Sequence, residues 1–541
     1  MMNHSIFNDV LGPVMAGPSS SHSAGCARIG RMTRLLAGRE IKKAVVVYDS
    51  QGSYPSTCVG QGSNFGFAGG LLGFANDDPR MKDSIAIAKE MGVDISFTEE
   101  TLSARHPNEA RIDVYDENGE VELSVLTLSV GGGMFQIVEM DGYPVYMDGS
   151  RAQLYVRCEA EVMESLEEKL KQRAACVTRI GTLVELTQYR GATERDRSVF
   201  LCAEQFEGED LHAVAAELEK EPGVRYVRVA EVVLPIPMKP ENDAAFSTAE
   251  EALRYMDLHA AMAEEEKTWE KDSPRMWELA VEYECSIGNV TPEEVWKQAA
   301  HTLQMMRNAA VPPDPETTPK FGFLPYRCAD MKKQETKLVN TGYLHKAMFY
   351  ALAVMENSCA HNIVTASPTA GSSGVVPAAV VAVGEEMGCS DEEIIKGLLA
   401  AGLSGAFIAN QATFGAEVAG CQAENGAASA MAAAGVVELL GGSVEQGFAA
   451  ASLALQNMLG LICDPVGGLT EIPCISRNVA AMSNAVMAAN MVMLGFDPVI
   501  PYDETIRTMY EVGRQLPSAL RCTCEGGLCV TKTAKEIVRG L

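Results

Sequence analysis

Basic residues are scarce in this chain. Its 541 residues hold 44 Lys and Arg against 72 Asp and Glu, a formal charge of −28, so a polyanion is repelled. Charge therefore disfavours nucleic acid as a partner and an anionic membrane surface as well. Long apolar runs are also missing. The stretches 375–383 and 486–496 are too short or too interrupted by Asn to span a bilayer, and they read as buried helices. No basic segment leading into an apolar core opens the sequence, because MMNHSIFNDVLGPVMAG is broken by Asn3, His4 and Pro13. The expectation is a cytoplasmic protein. The 15 cysteines are then reduced thiols, some buried and some metal-bound, rather than a disulfide framework.

What is present changes along the chain, and the length exceeds what one hydrophobic core can serve. The expected fold is multidomain. Residues 1–150 read as α+β: GPSSSHSAG leads into a helix, KKAVVVYDS and later β-branched runs read as strands, and VGQGSNFGFAGGLLGF is a glycine-rich loop feeding a small-residue helix. Residues 151–236 follow a βαββαβ order, the pattern of a ferredoxin-like module. After the linker PIPMKPEND, residues 237–541 are helical. Beyond Tyr343 they are so rich in Ala, Gly, Val and Met that the helices must be buried on all sides. No internal repeat is evident.

Three stretches carry chemistry. GCQAENG contains Cys421, and CDPVGGLTEIPCISRN sets Cys463 and Cys474, with ten residues between them, around a Pro- and Gly-containing turn. Three thiolates can hold three corners of a four-iron cluster and leave one iron open as a Lewis acid. The spacing is neither CxxC nor that of the common ferredoxins, and small buried thiols in a tight helical core are the other reading. SPTAGSSGVVPA places hydroxyls and a glycine hinge before a helix start, suited to a substrate carboxylate or to the phosphate of pyridoxal phosphate, with Lys346 as the Schiff-base lysine; a plain helix cap is the bland reading. The cysteine set decides between the first two, since a pyridoxal enzyme has no use for three thiolates. GPSSSHSAG offers hydroxyls and N–H groups to an anion, or is an ordinary N-cap.

These motifs, together with ASAMAAAG and LPSALRCTCEGGL, resemble in content and order the iron–sulfur-dependent L-serine dehydratases, or L-serine ammonia-lyases. The resemblance covers the chain except its linkers. It implies a single-chain fusion of a β-type domain (1–150), an ACT-like domain (151–236) and an α-type catalytic domain (237–541). It implies a 4Fe-4S cluster on Cys421, Cys463 and Cys474. Ser19, Ser20 and Ser21 would bind substrate beside a catalytic His22, with Ser367, Thr369, Ser372 and Ser373 in the catalytic-domain pocket. The implied reaction is dehydration and deamination of L-serine to pyruvate and ammonia, a step of amino-acid catabolism that feeds gluconeogenesis. The apolar helical domain and the fused module suggest a homodimer.

Two features depart from the family pattern. Its GKGHGTD loop appears here as CVGQGSN, so Gln61 and Asn64 replace a histidine and an aspartate, and an amide is no general base near neutral pH. Either His22 or another group takes the proton, or the substrate is not L-serine. Some members also end in a cysteine that reaches the open iron, whereas here Cys522, Cys524 and Cys529 are the candidates, unless they are surface or core thiols. Cysteine desulfhydration at the same site and a non-catalytic amino-acid or redox sensor are the alternative functions. Of the remaining residues, His361 reads as polar lining of the SPTAG loop, His345 as a core histidine, and Asp330 with Lys333 as a weak Asp-x-x-Lys match; His4, His106, His212, His259 and His301 have no convergent partners in sequence.

Overall fold

The computed structural model describes residues 3–103, 105–182, 198–206, 208–239, 241–266, 274–334 and 338–540. The protein is multidomain and mixed α/β with a helical C-terminal region. It divides into two compact units, Met1–Ser20 with Glu241–Leu541, and Ser21–Pro240. Among the described residues no helix is long and apolar enough to cross a membrane.

The first twenty residues, which the sequence groups with the α+β segment, belong to the helical unit. Complementary packing accounts for this. The turn Ile6–Val10 presents two aliphatic side chains to gaps left by glycines on the helix Asp391–Gln411. A Cβ at Gly402 would meet Ile6 Cγ2 at 2.4 Å, and one at Gly405 would meet Val10 Cγ1 at 2.2 Å. Ser5 caps the turn by accepting the N–H groups of Phe7 and Asn8. Glu284, buried on the helix Met276–Ile287, accepts from Ser5 Oγ and from the Ile6 N–H at 2.8 Å. Strand β1 (Val14–Ala16) then pairs antiparallel with Ile363–Thr365, directly before the SPTAG loop.

In the unit Ser21–Pro240, a six-stranded sheet is built from β2 (Lys43–Asp49), β3 (Asp94–Glu100), β4 (Glu109–Tyr115), β5 (Val121–Gly131), β6 (Met134–Met140) and β7 (Tyr143–Met147). Its order is β3-β2-β4-β5-β6-β7, with the β2–β3 pair parallel and the others antiparallel. The helices Gly25–Ala37 and Ser63–Leu72 touch backbone to backbone: a Cβ at Gly66 would meet Ser23 O at 2.5 Å, and one at Gly70 would meet Ala27 O at 2.1 Å. Both numbers rise together along the contact, so the helices run the same way. Their N-termini, with Ser21, His22 and the GQGSN loop before them, share one end.

The following segment runs β8 (Gln153–Glu159), helix Met163–Lys171, β9 (Ala174–Thr182), β10 (Ser198–Phe206), helix Leu211–Leu218 and β11 (Val224–Ala230), in the expected βαββαβ order. The predicted strand CVTRIGTLVELTQ is described as far as Thr182, and its remainder lies outside the described residues. The sheet order is β11-β8-β10-β9. Period-two alternation gives this sheet two apolar faces. Leu154, Val156, Val199 and Leu201 pack with Leu166, Leu170, Val214 and Leu218 from the two helices, while Tyr155, Phe200 and Cys202 join the core of the six-stranded sheet. That shared core makes 21–240 one unit.

In the helical unit, reciprocal capping boxes start three helices, Thr291 with Glu294, Ser390 with Glu393 and Ser443 with Gln446, each cap contributing about 1 kcal/mol. Every residue from Ala427 to Glu438 is buried on the helix Ala427–Leu439, as its all-round apolar composition requires. A Cβ at Gly435 would meet Gly397 O at 2.7 Å on the helix Asp391–Gln411.

Two outcomes follow from the N-terminal segment. Ile6→Ala empties a fully buried site and should cost about 2–5 kcal/mol, read as a lowered urea midpoint. Burial raises the Glu284 carboxyl from 4.5 to about 7, so its contribution to stability is complete below pH 4.5 and is lost as pH rises through about 7. Glu284→Gln should remove that share of the pH slope in the same denaturation series.

Candidate active site

Two loops and a helix start converge around Cys421. Gly420, at φ 75°, turns the chain into Cys421 and the tight turn Gln422–Gly426. The Gln422 side chain fixes that turn, donating to Ala419 O at 2.9 Å and Met509 O at 3.1 Å and accepting from Gly460 N–H at 2.9 Å. This draws the stretch leading to Cys463 alongside, and Cys421 Sγ, Cys463 Sγ and one Glu424 carboxylate oxygen lie within 4.8 Å of one another. Cys474, the first residue of the helix Cys474–Met493, is buried. That 4.8 Å group does not include it, but its thiol feels Cys421 and Glu424 as near neighbours: burial first, then these two groups, push it well above the ordinary thiol range. Contact with Cys421 and Cys522, with burial, does the same to Cys463.

A cation lies beside Cys421. Arg477, three residues along the helix from Cys474, donates through Nη1 to Cys421 Sγ at 3.5 Å and to Ile462 O at 2.9 Å, and through Nη2 to Asp464 Oδ1 at 2.9 Å. Asn478, one helical turn from Cys474, donates to Gly371 O at 2.8 Å and accepts from Gly374 N–H at 2.9 Å. It thereby fastens the SPTAGSSG loop to the cysteine helix. Thr369 Oγ1 donates to Glu424 Oε1 at 2.8 Å and meets Ser372 Oγ at 3.1 Å. Burial raises the Glu424 carboxyl to about 7, against the lowering effect of Thr369. Ser367 Oγ and both polar side-chain atoms of Asn425 are buried without a hydrogen-bond partner among the described residues. The Ser373 hydroxyl lies 3.6 Å from Met355 Sδ.

The serine-rich N-terminal motif divides between the units at Ser20 and Ser21. Ser20 is buried and Ser19 half-buried in the helical unit, where Gly17 N–H donates to Asn362 O at 3.1 Å. In the other unit His22 is buried, with Nδ1 3.0 Å from Ser21 Oγ, Nε2 3.2 Å from Ser53 Oγ and its ring edge-on to Tyr54. Ser53 Oγ in turn donates to Asn108 Oδ1. Burial lowers the His22 imidazole to about 4, so it is neutral near pH 7.

Other candidates have plainer places. Lys346 pairs with Glu385 at 3.0 Å and Glu386 at 3.2 Å; these carboxylates keep it protonated, the wrong state for a Schiff-base nucleophile. Asp330 and Lys333 form an exposed ion pair at 2.8 Å. His361, at φ 56°, is buried and stacks on Phe321 with ring centroids 4.0 Å apart, and His345 lies edge-on to Phe349. Gln61 N–H donates to Thr57 O at 2.8 Å, and Asn64 Oδ1 accepts from Phe65 N–H at 2.8 Å. Cys522 packs with Cys421 and Cys463, whereas Cys524 and Cys529 both donate to Pro465 O, at 3.4 and 3.0 Å. Sequence reasoning missed Glu424, Arg477, Asn478 and Ser53. The first three lie inside the quoted motifs, and the helical spacing Cys474, Arg477, Asn478 was the available signal.

The family model described as serine dehydratase alpha chain matches residues 253–529. Over 262 residues the chain is 38% identical to a probable L-serine dehydratase alpha chain of Bacillus subtilis strain 168, an alignment covering 48% of this chain and 87% of that protein. Over 272 residues it is 37% identical to the L-serine dehydratase alpha chain of Peptoniphilus asaccharolyticus, covering 49% of this chain and 92% of the relative. A probable L-serine dehydratase beta chain of Bacillus subtilis strain 168 is 44% identical over 156 residues, 29% of this chain and 69% of the relative. Alpha-chain and beta-chain relatives thus match a single polypeptide, and the chain belongs to the L-serine dehydratase family as a fusion of its beta and alpha parts.

Proposed function

We propose that the chain is an iron–sulfur-dependent L-serine dehydratase, releasing pyruvate and ammonia. The observation that carries this reading is the meeting of Cys421 and Cys463 from distant stretches, beside Arg477 and against the Thr369 loop, in a chain whose relatives are named for that reaction. The donor set fits such a group: the thiols are buried, a cation lies beside one of them, and Ser367 and Asn425 keep buried polar atoms unpaired. Cys421, Cys463 and Cys474 would hold the 4Fe-4S cluster, which when bound supplies a Lewis acid for the departing hydroxyl.

The remaining work falls to side chains. Arg477 holds Cys421 Sγ in place by donating to it while pairing with Asp464. Ser367, whose hydroxyl is unpaired, offers a donor to the substrate carboxylate, Thr369 and Ser372 line the same loop against Glu424, and Ser19, Ser20 and Ser21 add hydroxyls from the N-terminal motif. His22 is assigned as the group that accepts the Cα proton. Its imidazole is neutral near pH 7 and its tilt is set by Ser21 and Ser53, whereas Gln61 has no basic nitrogen. We assign the module β8–β11 as ACT-like on its strand order and its two helices on one face.

Anaerobically purified protein should be brown and should form pyruvate from L-serine. Cys463→Ala should lose both properties; full iron content in that variant would remove Cys463 from the ligand set. Sulfide from cysteine without pyruvate from serine would reassign the substrate, and a brown protein that binds serine but eliminates nothing would sink the catalytic reading in favour of a sensor.

His22→Gln should lower kcat by about two to four powers of ten with the circular dichroism spectrum unchanged. With the imidazole at about 4, protonation removes the base only as pH falls through that value. The acid limb of the kcat/KM profile should therefore lie near pH 4; a limb at 6.5, the ordinary histidine value, would count against the assignment.

A further inference from the structure

We propose that a cavity in the helical unit, between residues 324–331, the helix Leu344–Cys359 and the start of the helix Cys474–Met493, binds a primary ammonium carried on a short apolar body: an aliphatic amino acid or a simple aliphatic amine. None of the residues assigned above to the cluster, the substrate or the proton transfer lines it.

The cavity has a volume of about 370 Å³, within the ~300–1,000 Å³ of ordinary small-molecule sites. Leu324, Leu352 and Ile475 give it apolar walls, while Arg327 and Met331, both exposed, stand at the rim. Two carboxylates complete the lining. Glu356 and Glu471 are 7% and 4% exposed, and a carboxylate so withdrawn from water demands a cation or a full set of hydrogen bonds. Main-chain donors meet part of that demand. Glu356 Oε1 accepts from the N–H groups of Arg327 at 2.7 Å and Cys328 at 2.9 Å, and Glu471 Oε2 accepts from those of Phe323 at 2.9 Å and Leu324 at 3.1 Å. Glu356 Oε2 has no hydrogen-bond partner among the described residues. Lys320, the cation that acts on Glu471, is committed to Phe323 O at 2.6 Å. Burial accordingly raises both carboxyls above the ordinary range.

The unmet acceptor sets the chemistry of the occupant. An ammonium group brings positive charge and three N–H donors, whereas a metal ion needs a shell of donor atoms that aliphatic walls do not complete. The walls suit a hydrocarbon body instead. Arg327 at the rim offers a fork for a carboxylate, so an amino acid would turn its ammonium inward and its carboxylate outward. The site also reaches the cysteine helix: Ile475 N–H donates to Glu471 O at 3.1 Å, and the thiol of Cys359, another lining residue, donates to Thr470 O at 3.4 Å. An occupant held by Glu471 therefore bears on the turn from which Cys474 starts.

The test uses the full-length protein, prepared anaerobically, and three probes with one carbon skeleton: L-norleucine, n-pentylamine, which lacks its carboxylate, and hexanoate, which lacks its amine. Isothermal titration calorimetry should register an ammonium probe and not hexanoate. Tighter binding of norleucine than of pentylamine, lost in Arg327→Ala, identifies an amino acid as the ligand; pentylamine binding as well or better, unchanged in Arg327→Ala, identifies a simple amine. Glu356→Gln should weaken the preferred probe about 10- to 100-fold. Met331→Trp, a change at an exposed position that narrows the mouth, should abolish binding with the circular dichroism spectrum unchanged, and saturating L-serine should leave binding intact. Heat from hexanoate alone, no heat from either ammonium probe, displacement by L-serine, or full affinity in Glu356→Gln or Met331→Trp would overturn the site. Should Glu356→Gln fail to fold, Met331→Trp decides. Heat of binding is read without turnover, so a protein that forms no pyruvate would sink the dehydratase reading and leave this site standing.

Discussion

The candidate site depends on one guanidinium. Arg477 reaches Cys421, the Ile462 carbonyl and Asp464, and Asp464 passes the restraint on to Leu528, so three separate stretches are tied to one side chain. Both members of the Arg477–Asp464 pair are largely withdrawn from water, with side-chain exposures of 16% and 2%. Removing one partner of a buried pair strands the other charge, at a cost of about 3–5 kcal/mol. The same cation works against the burial that, with Cys421 and Glu424, pushes the Cys474 thiol well above the ordinary range. Structure and chemistry therefore share a single electrostatic anchor.

Around that anchor, polar loops are held by side chains within a core of small residues. Asn478 serves the cysteine helix and the SPTAGSSG loop at once, and Gln422 holds its own turn against the 460 region. Alanine and glycine in the helix Ala427–Leu439 let its neighbours approach to backbone contact, leaving little slack for these loops to drift. A tightly packed interior is what converts a few hydrogen bonds into a fixed site.

Much of this was legible from residue order alone. The all-round apolar pattern after Tyr343 marks buried helices, the βαββαβ rhythm is present among the described strands, and the Cys421 and Cys463 motifs do meet. What escaped has physical reasons. The capture of Ile6 and Val10 by Gly402 and Gly405 is a long-range fit of bumps to gaps, and no local periodicity reports it. Joining of residues 21–150 and 151–240 into one unit depends on Tyr155 and Phe200 facing the opposite way from Leu154 and Leu201; alternation shows two apolar faces but not what covers the second. Glu424 looked like an ordinary acidic residue in a turn, since its importance comes from burial against Thr369 and Cys421.

The N-terminal segment also bears on how this single chain compares with relatives named as separate alpha and beta chains. Because Met1–Ser20 and Glu241–Leu541 build one unit while Ser21–Pro240 builds the other, the polypeptide passes between units twice. Severing the 235–243 linker would not yield two self-sufficient pieces: the amino-terminal fragment would retain the Ile6 and Val10 plug, and the carboxy-terminal fragment the notch that receives it. Separate subunits of this design would recognise each other through an exchanged arm, and fusion into one chain makes that recognition intramolecular.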